Sequence, residues 1–566
     1  MIFHKWLTPS LGAALGLILL VGSGCASRAT APTTTQADRN AKPTVTSAGA
    51  PDPQARRVES LALFATGVSV EMRRGLEAAL EYYQRAFEAD PANLELGVNI
   101  ARAYMSRQKF DEARRILQTT MQAHPRAAEP LFWLAVVHKT AEEPAEAVTA
   151  LQRALKLDPR HINAIHLLCE MYLQQTNMTE LVKVLDRAYW QKSEDASYWM
   201  RLGDLYASAF RQIPALTNLV KAGRVEESYE KARGLSGGEA EATLRLAGWH
   251  EMQGEYGRAA VLMEEVIRRR PDDVPMRVKA LTLYLRAEDK TNAVRQLEEI
   301  IRREPLRPEF YNQLGVLYDE LDQPEKAISN YQQSLTINPH QPEVYLNLTM
   351  LMIGQKRHDE ARVTLSRWRE RFPTDFRVPY LTGLILSDEK KYAEAFAAFR
   401  DAETLAAESP REIKLNAQFY FAYGAAAERS GDLETAARLF RKVIELDPND
   451  HLAHNYLGYM WADKGIHLEE AYRLIKIANE RSPNNGAYLD SLGWVLYRLG
   501  RVEEALPYLL RAAELEPTDP TVLDHVAEVL EKLGRRDEAL QYLRRAVAAD
   551  PQNADLQQKL QRLLGN

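Results

Sequence analysis

The chain has 566 residues, 46% of them apolar and 27% charged, with a formal charge of −6 at neutral pH. This balance of signs excludes a basic nucleic-acid footprint, and so much length is more than one ordinary core organises. Two cysteines, Cys25 and Cys169, cannot build a disulfide framework or a multi-cysteine zinc site.

Residues 1–24 read as a signal peptide, with Lys5 early, an apolar run from Leu11 to Val21, and Gly22, Ser23 and Gly24 before Cys25. The run is short for a membrane span. Small residues directly before a cysteine resemble the bacterial lipoprotein processing box, although Gly22 stands where that box more often has Leu. The resemblance implies removal of the peptide and a lipid on Cys25. Ala26 rather than Asp after the cysteine implies the outer membrane, with the chain facing the periplasm. A plain secretory signal or an uncleaved anchor is the alternative. Residues 25–57, rich in Ala, Thr and Pro, bury too little to fold and are expected to be a disordered linker.

The array that follows is clearest at Tyr311 to Pro339. Tyr311, Leu314, Gly315 and Tyr318 fall at helical spacing on one face, a break follows at Asp322 to Pro324, and Ala327, Tyr331 and Ser334 mark a second helix. Small Gly315 and Ala327 let the two helices approach closely, so the unit is a helical hairpin. Pro91, Pro125 and Pro159, then Pro271, Pro305, Pro339 and Pro373, then Pro483, Pro517 and Pro551 recur in steps of 34. An alanine opens the second helix in phase with them, from Ala79 through Ala327 to Ala539. The unit resembles the tetratricopeptide repeat. The resemblance implies an all-α, right-handed solenoid of about 14 hairpins, each touching only its neighbours.

Two irregularities break the phase, one at about 208–224 in the fifth repeat and one at about 407–414 between the tenth and eleventh. They divide the array into 58–238, 239–409 and 410–553, and residues 554–566 form a helix with Leu556, Leu560, Leu563 and Leu564 on one face. That helix is expected to cap the stack.

No catalytic, cofactor or metal constellation stands out. His161 with His166, and His451 with His454, lack a third ligand in register. Gly234 to Gly238 is a turn rather than a phosphate loop, and Cys169 fills the small-residue slot that Gly315 holds in its own repeat. The chain is therefore read as a non-enzyme without cofactors, an enzyme with a site spread over repeats being the remote alternative.

The resemblance implies that ligands lie along the first helices of the hairpins. Side chains there that hairpin packing does not need are Asn455, Tyr459 and Asp463 in the twelfth repeat, Asp490, Trp494, Tyr497 and Arg498 in the thirteenth, and Asp524, Glu528 and Lys532 in the fourteenth. Aromatic rings beside Asn, Asp and Arg suit a peptide, because rigid rings give area while polar groups bond a backbone. The block from Asn455 to Pro517 is also similar to outer-membrane tetratricopeptide lipoproteins that dock carboxyl-terminal processing proteases. This similarity implies a membrane-anchored adaptor that binds a protein or peptide partner. A structural component of a polysaccharide or pilus assembly machine is the alternative.

Overall fold

A computed structural model describes residues 52–213, 221, 223–237, 240–409 and 413–565. The signal peptide, Cys25 and most of the linker lie outside them. The described residues form 29 helices and no strand. They fall into two compact units that divide between Glu142 and Glu143, at neither irregularity. The first unit holds two hairpins and the helix Glu129–Thr140; the second opens with Pro144–Leu157 and continues through eleven hairpins to a last single helix.

The hairpins close on the alanines. All twelve of the expected small positions, Ala79, Ala113, Ala147, Ala259, Ala293, Ala327, Ala361, Ala395, Ala436, Ala471, Ala505 and Ala539, are 0% exposed. Facing them, Gly315 lies so near the second helix that a Cβ would sit 2.7 Å from the Tyr331 ring. Tyr331 therefore packs through the space a side chain would take. Ser334 is buried and donates its hydroxyl to the carbonyl of Pro308, 2.8 Å away.

Turn chemistry repeats as strictly as the core. Gln108, Glu142, Thr176, Gly254, Glu288, Asp322, Lys356, Lys390, Gly431, Gly465, Gly500 and Gly534 all have positive φ, at intervals that follow the repeat. Each lies in the connection between a first and a second helix, where one left-handed residue turns the chain back. Five of the twelve are glycine, which takes positive φ without strain, but the other seven are polar residues of several kinds, so no single residue type marks the position. Capping is less uniform: Asn93, Asp273, Asp450 and Asn485 accept from backbone amides of their first helical turns, whereas Ala128, Arg307, Gln341 and Phe376 make no side-chain cap.

Three boundaries and one helix face differ from expectation. The linker ends sooner, because Pro53–Arg74 is already helical, making residues 53–57 part of the first hairpin. Its apolar content is low, but Ser60 and Gly67 offer a small-residue face against which Tyr83 packs. At the first irregularity residues 208–212 are no loop: they extend Ala196–Gln212, and Ala209 and Phe210 are buried, Phe210 reaching the Trp249 ring of the next hairpin at 6.0 Å. At the second, residue 407 still belongs to the helix Tyr392–Ala407. Residues 214–220, 222 and 410–412 lie outside the described residues. The last helix, Ala554–Gly565, buries Leu556 and Leu563, but Leu564 is 53% exposed because it falls one residue past the inward face.

Candidate functional site

In the second unit the first helices of the twelfth to fourteenth repeats, His451–Lys464, Gly486–Arg498 and Pro520–Lys532, lie side by side, and Ala554–Gly565 follows. The sequence brings one polar residue to the same place in each, three positions before the small contact residues Gly458, Gly493 and Ala527: Asn455, Asp490 and Asp524. One turn later come Tyr459, Trp494 and Glu528. Helical periodicity thus lines them up across three repeats.

Between these rows sits a residue the sequence reading missed. His525 is 6% exposed, and its Nδ1 lies 2.9 Å from one Asp490 carboxylate oxygen and 3.0 Å from the other. Its ring stacks on Trp494 with 3.9 Å between centroids and 14° between planes, while Tyr459 stands 6.4 Å away. Burial presses the His525 pKa down, but the Asp490 carboxylate, with Asp524 and Glu528 adding to it, outweighs burial and leaves it raised. His525 escaped notice because it follows the chosen Asp524 directly and breaks no packing rule.

Lys559 is the second such residue, on the helix expected only to cap. Its ammonium donates to Asp524 at 2.6 Å and to Glu528. Burial raises the Asp524 pKa, and the Lys559 ammonium offsets part of that rise. The cap therefore also completes the polar row.

Three polar atoms on this face are buried and have no hydrogen-bond partner: Asn455 Oδ1, Trp494 Nε1 and Asp524 Oδ1. Asn312 Oδ1, at the equivalent place in the eighth repeat, is a fourth. An unmet buried donor or acceptor costs about 1–3 kcal/mol, so a ligand that meets these atoms recovers that cost.

The remaining expected residues divide. Tyr497 is half-buried against Trp494, 5.2 Å between centroids. Arg498 does not point freely outward: its guanidinium donates to the Asp463 carbonyl at 2.7 Å and lies over Trp494. A Cβ at Gly465, whose φ is +69°, would come within 2.4 Å of that guanidinium. Glycine there admits both the left-handed turn and Arg498. Asp463 and Lys532 are exposed, Asp463 pairing with its neighbour Lys464 at 2.9 Å. Trp494 is 7% exposed, so its ring is packing, and its Nε1 is buried without a partner.

Three of the four paired histidines have local partners. His161 Nδ1 accepts from the Ala164 amide at 3.2 Å, His451 Nδ1 lies 2.7 Å from the Tyr488 hydroxyl, and His454 Nδ1 donates to the Asp450 carbonyl at 2.8 Å. Ser236 and Gly237 form a turn, with φ +61° at Gly237.

Family models described as tetratricopeptide repeat match residues 277–552, 76–134 and 128–161. The chain is a tetratricopeptide-repeat protein. A TPR repeat-containing protein of Pseudomonas aeruginosa is 30% identical over 166 residues, 29% of this chain and 27% of that protein. Protein O-mannosyl-transferase TMTC1 of Mus musculus is 25% identical over 182 residues, 32% of this chain and 15% of that one. The matches thus span about a quarter of the first relative's length and 15% of the second's. Among solved structures, a chain of the APC/C hetero-tetramer Cut9-Hcn1 is similar at 14% identity over 90% of this chain and 98% of that chain, with a TM-score of 0.36. Yeast Tom70 is similar at 17% identity over 79% and 96%, with a TM-score of 0.31. The tetratricopeptide architecture is one suited to protein–protein scaffolding, and that coarse reading holds here.

Proposed function

We propose that this tetratricopeptide protein is a non-catalytic adaptor whose first-helix face over repeats 12 to 14 holds an extended segment of a protein partner. The observation that carries the reading is the set of unmet buried atoms on consecutive helices, an acceptor on Asn455, a donor on Trp494 and an acceptor on Asp524. A peptide backbone offers both donors and acceptors, and Tyr459 and Tyr497 supply flat apolar area beside them. Exposed Asp463 and Lys532 border the face and would tune rather than create binding.

The finer reading rests on the sequence. The processing-box resemblance at Gly22 to Cys25 supports a lipid anchor in the bacterial outer membrane, and the similarity of the Asn455 to Pro517 block supports a carboxyl-terminal processing protease as the partner. The adaptor would then hold such a protease, its substrate or both at the membrane.

The test compares captures from detergent-solubilised envelope by the lipidated wild type and by Asn455→Ala with Tyr497→Ala, which spare the His525 and Asp490 pair. A captured protease is then purified and its affinity for both proteins measured. Loss of at least tenfold in affinity with the double variant is expected. Equal affinities would refute this face as the contact.

A further inference from the structure

Between the second helices of the third and fourth repeats, Pro144–Leu157 and Met178–Tyr189, lies a cavity of about 400 Å³, wholly within the second unit. Ile165 and Leu168, on the first helix that runs beneath, make its floor and are each 1% exposed. Leu155 and Val184 line its walls. Helical period brings cations to its mouth from both sides. Lys156 comes from one wall, and Lys183 and Arg187, one turn apart, from the other, all three exposed.

These charges are largely uncompensated. Lys183 pairs with Glu180 at 2.6 Å, but Lys156 and Arg187 have no carboxylate partner among the described residues. The other two carboxylates of these helices lie elsewhere. Asp186 is directed to buried Tyr206, whose pKa is raised by burial first and by this carboxylate second. Glu146 stands ten residues before Lys156, about 15 Å along the helix. Three cations thus face one carboxylate in a chain whose overall charge is −6. Tyr172, 4% exposed, lines the same cavity. Its hydroxyl accepts from Gln152 at 3.0 Å and keeps its own proton to donate.

Repeat geometry makes the recess, and side chains decide what enters it. An equivalent cavity of about 510 Å³ lies between Pro324–Ile337 and His358–Arg371 of the eighth and ninth repeats. There Thr336 stands where the earlier recess has Lys156, and Val363 where it has Lys183, so that the cations, Arg367 and Arg371, come from one wall alone.

We propose that the recess between the third and fourth repeats binds an acidic segment of a partner protein. One aliphatic side chain of that segment fills the apolar cavity, and carboxylates on either side of it meet Lys156 and Arg187. Charge complementarity selects this occupant. Packed helices stand about 8–10 Å apart, so cations on both walls match two carboxylates of one chain better than a single small anion. The site is separate from the face over repeats 12 to 14 and does not rest on it.

The test uses the chain from Ala26 onward, which keeps every described residue, and a fluorescein-labelled peptide with a central leucine flanked on each side by two glutamates. Binding by fluorescence anisotropy is expected, weakened by salt. Glutamine in place of the glutamates, or serine in place of the leucine, should each lower affinity at least about tenfold. Lys156→Glu with Arg187→Glu should do the same, and a peptide with lysine in place of glutamate should bind that variant instead. Both side chains are exposed, so melting should change little. Arg367→Glu with Arg371→Glu at the equivalent recess, and Asn455→Ala with Tyr497→Ala on the C-terminal face, should leave affinity unaltered. Absence of wild-type binding, equal binding of the glutamine peptide, an equal loss on reversing Arg367 and Arg371, full displacement by millimolar inorganic phosphate, or a solution dimer that Lys156→Glu with Arg187→Glu dissolves would each overturn the proposal.

Discussion

His525 and Asp490 belong to consecutive repeats, 35 positions apart, and meet as a buried ion pair with Nδ1 and Oδ2 at 2.9 Å. Each is 7% exposed at its side chain. Trp494, one turn beyond Asp490, closes over the imidazole, so the pair couples the thirteenth and fourteenth hairpins through polar as well as apolar contact.

Removing one partner of such a pair strands the other. His525→Ala is expected to cost about 3–5 kcal/mol, most of it from the uncompensated Asp490 carboxylate. Asp490→Asn with His525→Gln, which removes both charges, should cost much less. Hydrogen exchange at the helices Gly486–Arg498 and Pro520–Lys532 reads the effect locally, which suits an array whose repeats need not unfold together.

The same pair sets a pH dependence. The folded pKa of His525 lies above its ordinary 6.5. A raised histidine pKa stabilises the fold fully below the unfolded value, and that contribution fades as pH rises through the folded value. The C-terminal repeats should therefore be more protected at pH 6 than above the folded pKa of His525. In His525→Gln this slope should flatten. Asp524 and Lys559 face the same site, and a slope that persists in His525→Gln would assign the titration to them instead.

Helical spacing alone made the hairpin legible at Gly315, and the structure allows its steric meaning to be measured. Gly315→Ala drives a Cβ to 2.7 Å from the Tyr331 ring and should destabilise by about 1–3 kcal/mol. Gly248 lies exposed within the helix Ala240–Met252, with nothing within 4 Å of the Cβ it lacks. Gly248→Ala should stabilise by about 1 kcal/mol through helix propensity. Thermal melts of the two variants should move in opposite directions.

The contrast marks what sequence could and could not tell. Alanine at the second-helix contact is demanded by backbone approach, so twelve of them recur in phase and reveal the fold. The left-handed turn residue is glycine in five repeats, such as Gly534, and a polar residue such as Gln108 in seven, so sequence marks its regularity only in part until φ is known. Asn455, Asp490 and Asp524 could be placed on one face by period alone. That Asp490 is spent on His525 and Asp524 partly on Lys559 could not, since both partners come from the next repeat, where no local pattern marks them.

Lys559 offers a way to separate the polar row from simple capping. Its loss in Lys559→Met leaves Asp524 and Glu528 facing each other without a cation and should cost about 1–3 kcal/mol near neutral pH. Burial already raises the Asp524 pKa, and without Lys559 the rise is larger. A carboxyl whose folded pKa exceeds its unfolded one destabilises the fold once it ionises, so the penalty should shrink as pH falls and Asp524 takes up a proton. Urea denaturation at several pH values checks this. A penalty near zero at every pH would mean that Lys559 contributes through its aliphatic stem alone, since methionine keeps that stem.

Cys169 tests the assignment of a cysteine to packing rather than reactivity. The thiol is 2% exposed within the helix Ile162–Gln174, and burial alone pushes its pKa up to about 12. Since the thiolate is the reacting species, a native thiol so placed should resist a disulfide reagent at pH 8, whereas the same residue in denaturant should react at the rate of an ordinary cysteine. The chain from Ala26 onward makes the experiment clean, because Cys169 is then its one thiol. Cys169→Ala should change stability by little more than about 1 kcal/mol, as only one small apolar-like group is lost. Fast labelling of the folded protein would show instead that the seventh and eighth helices of the chain open readily, and the labelling rate would then measure that opening.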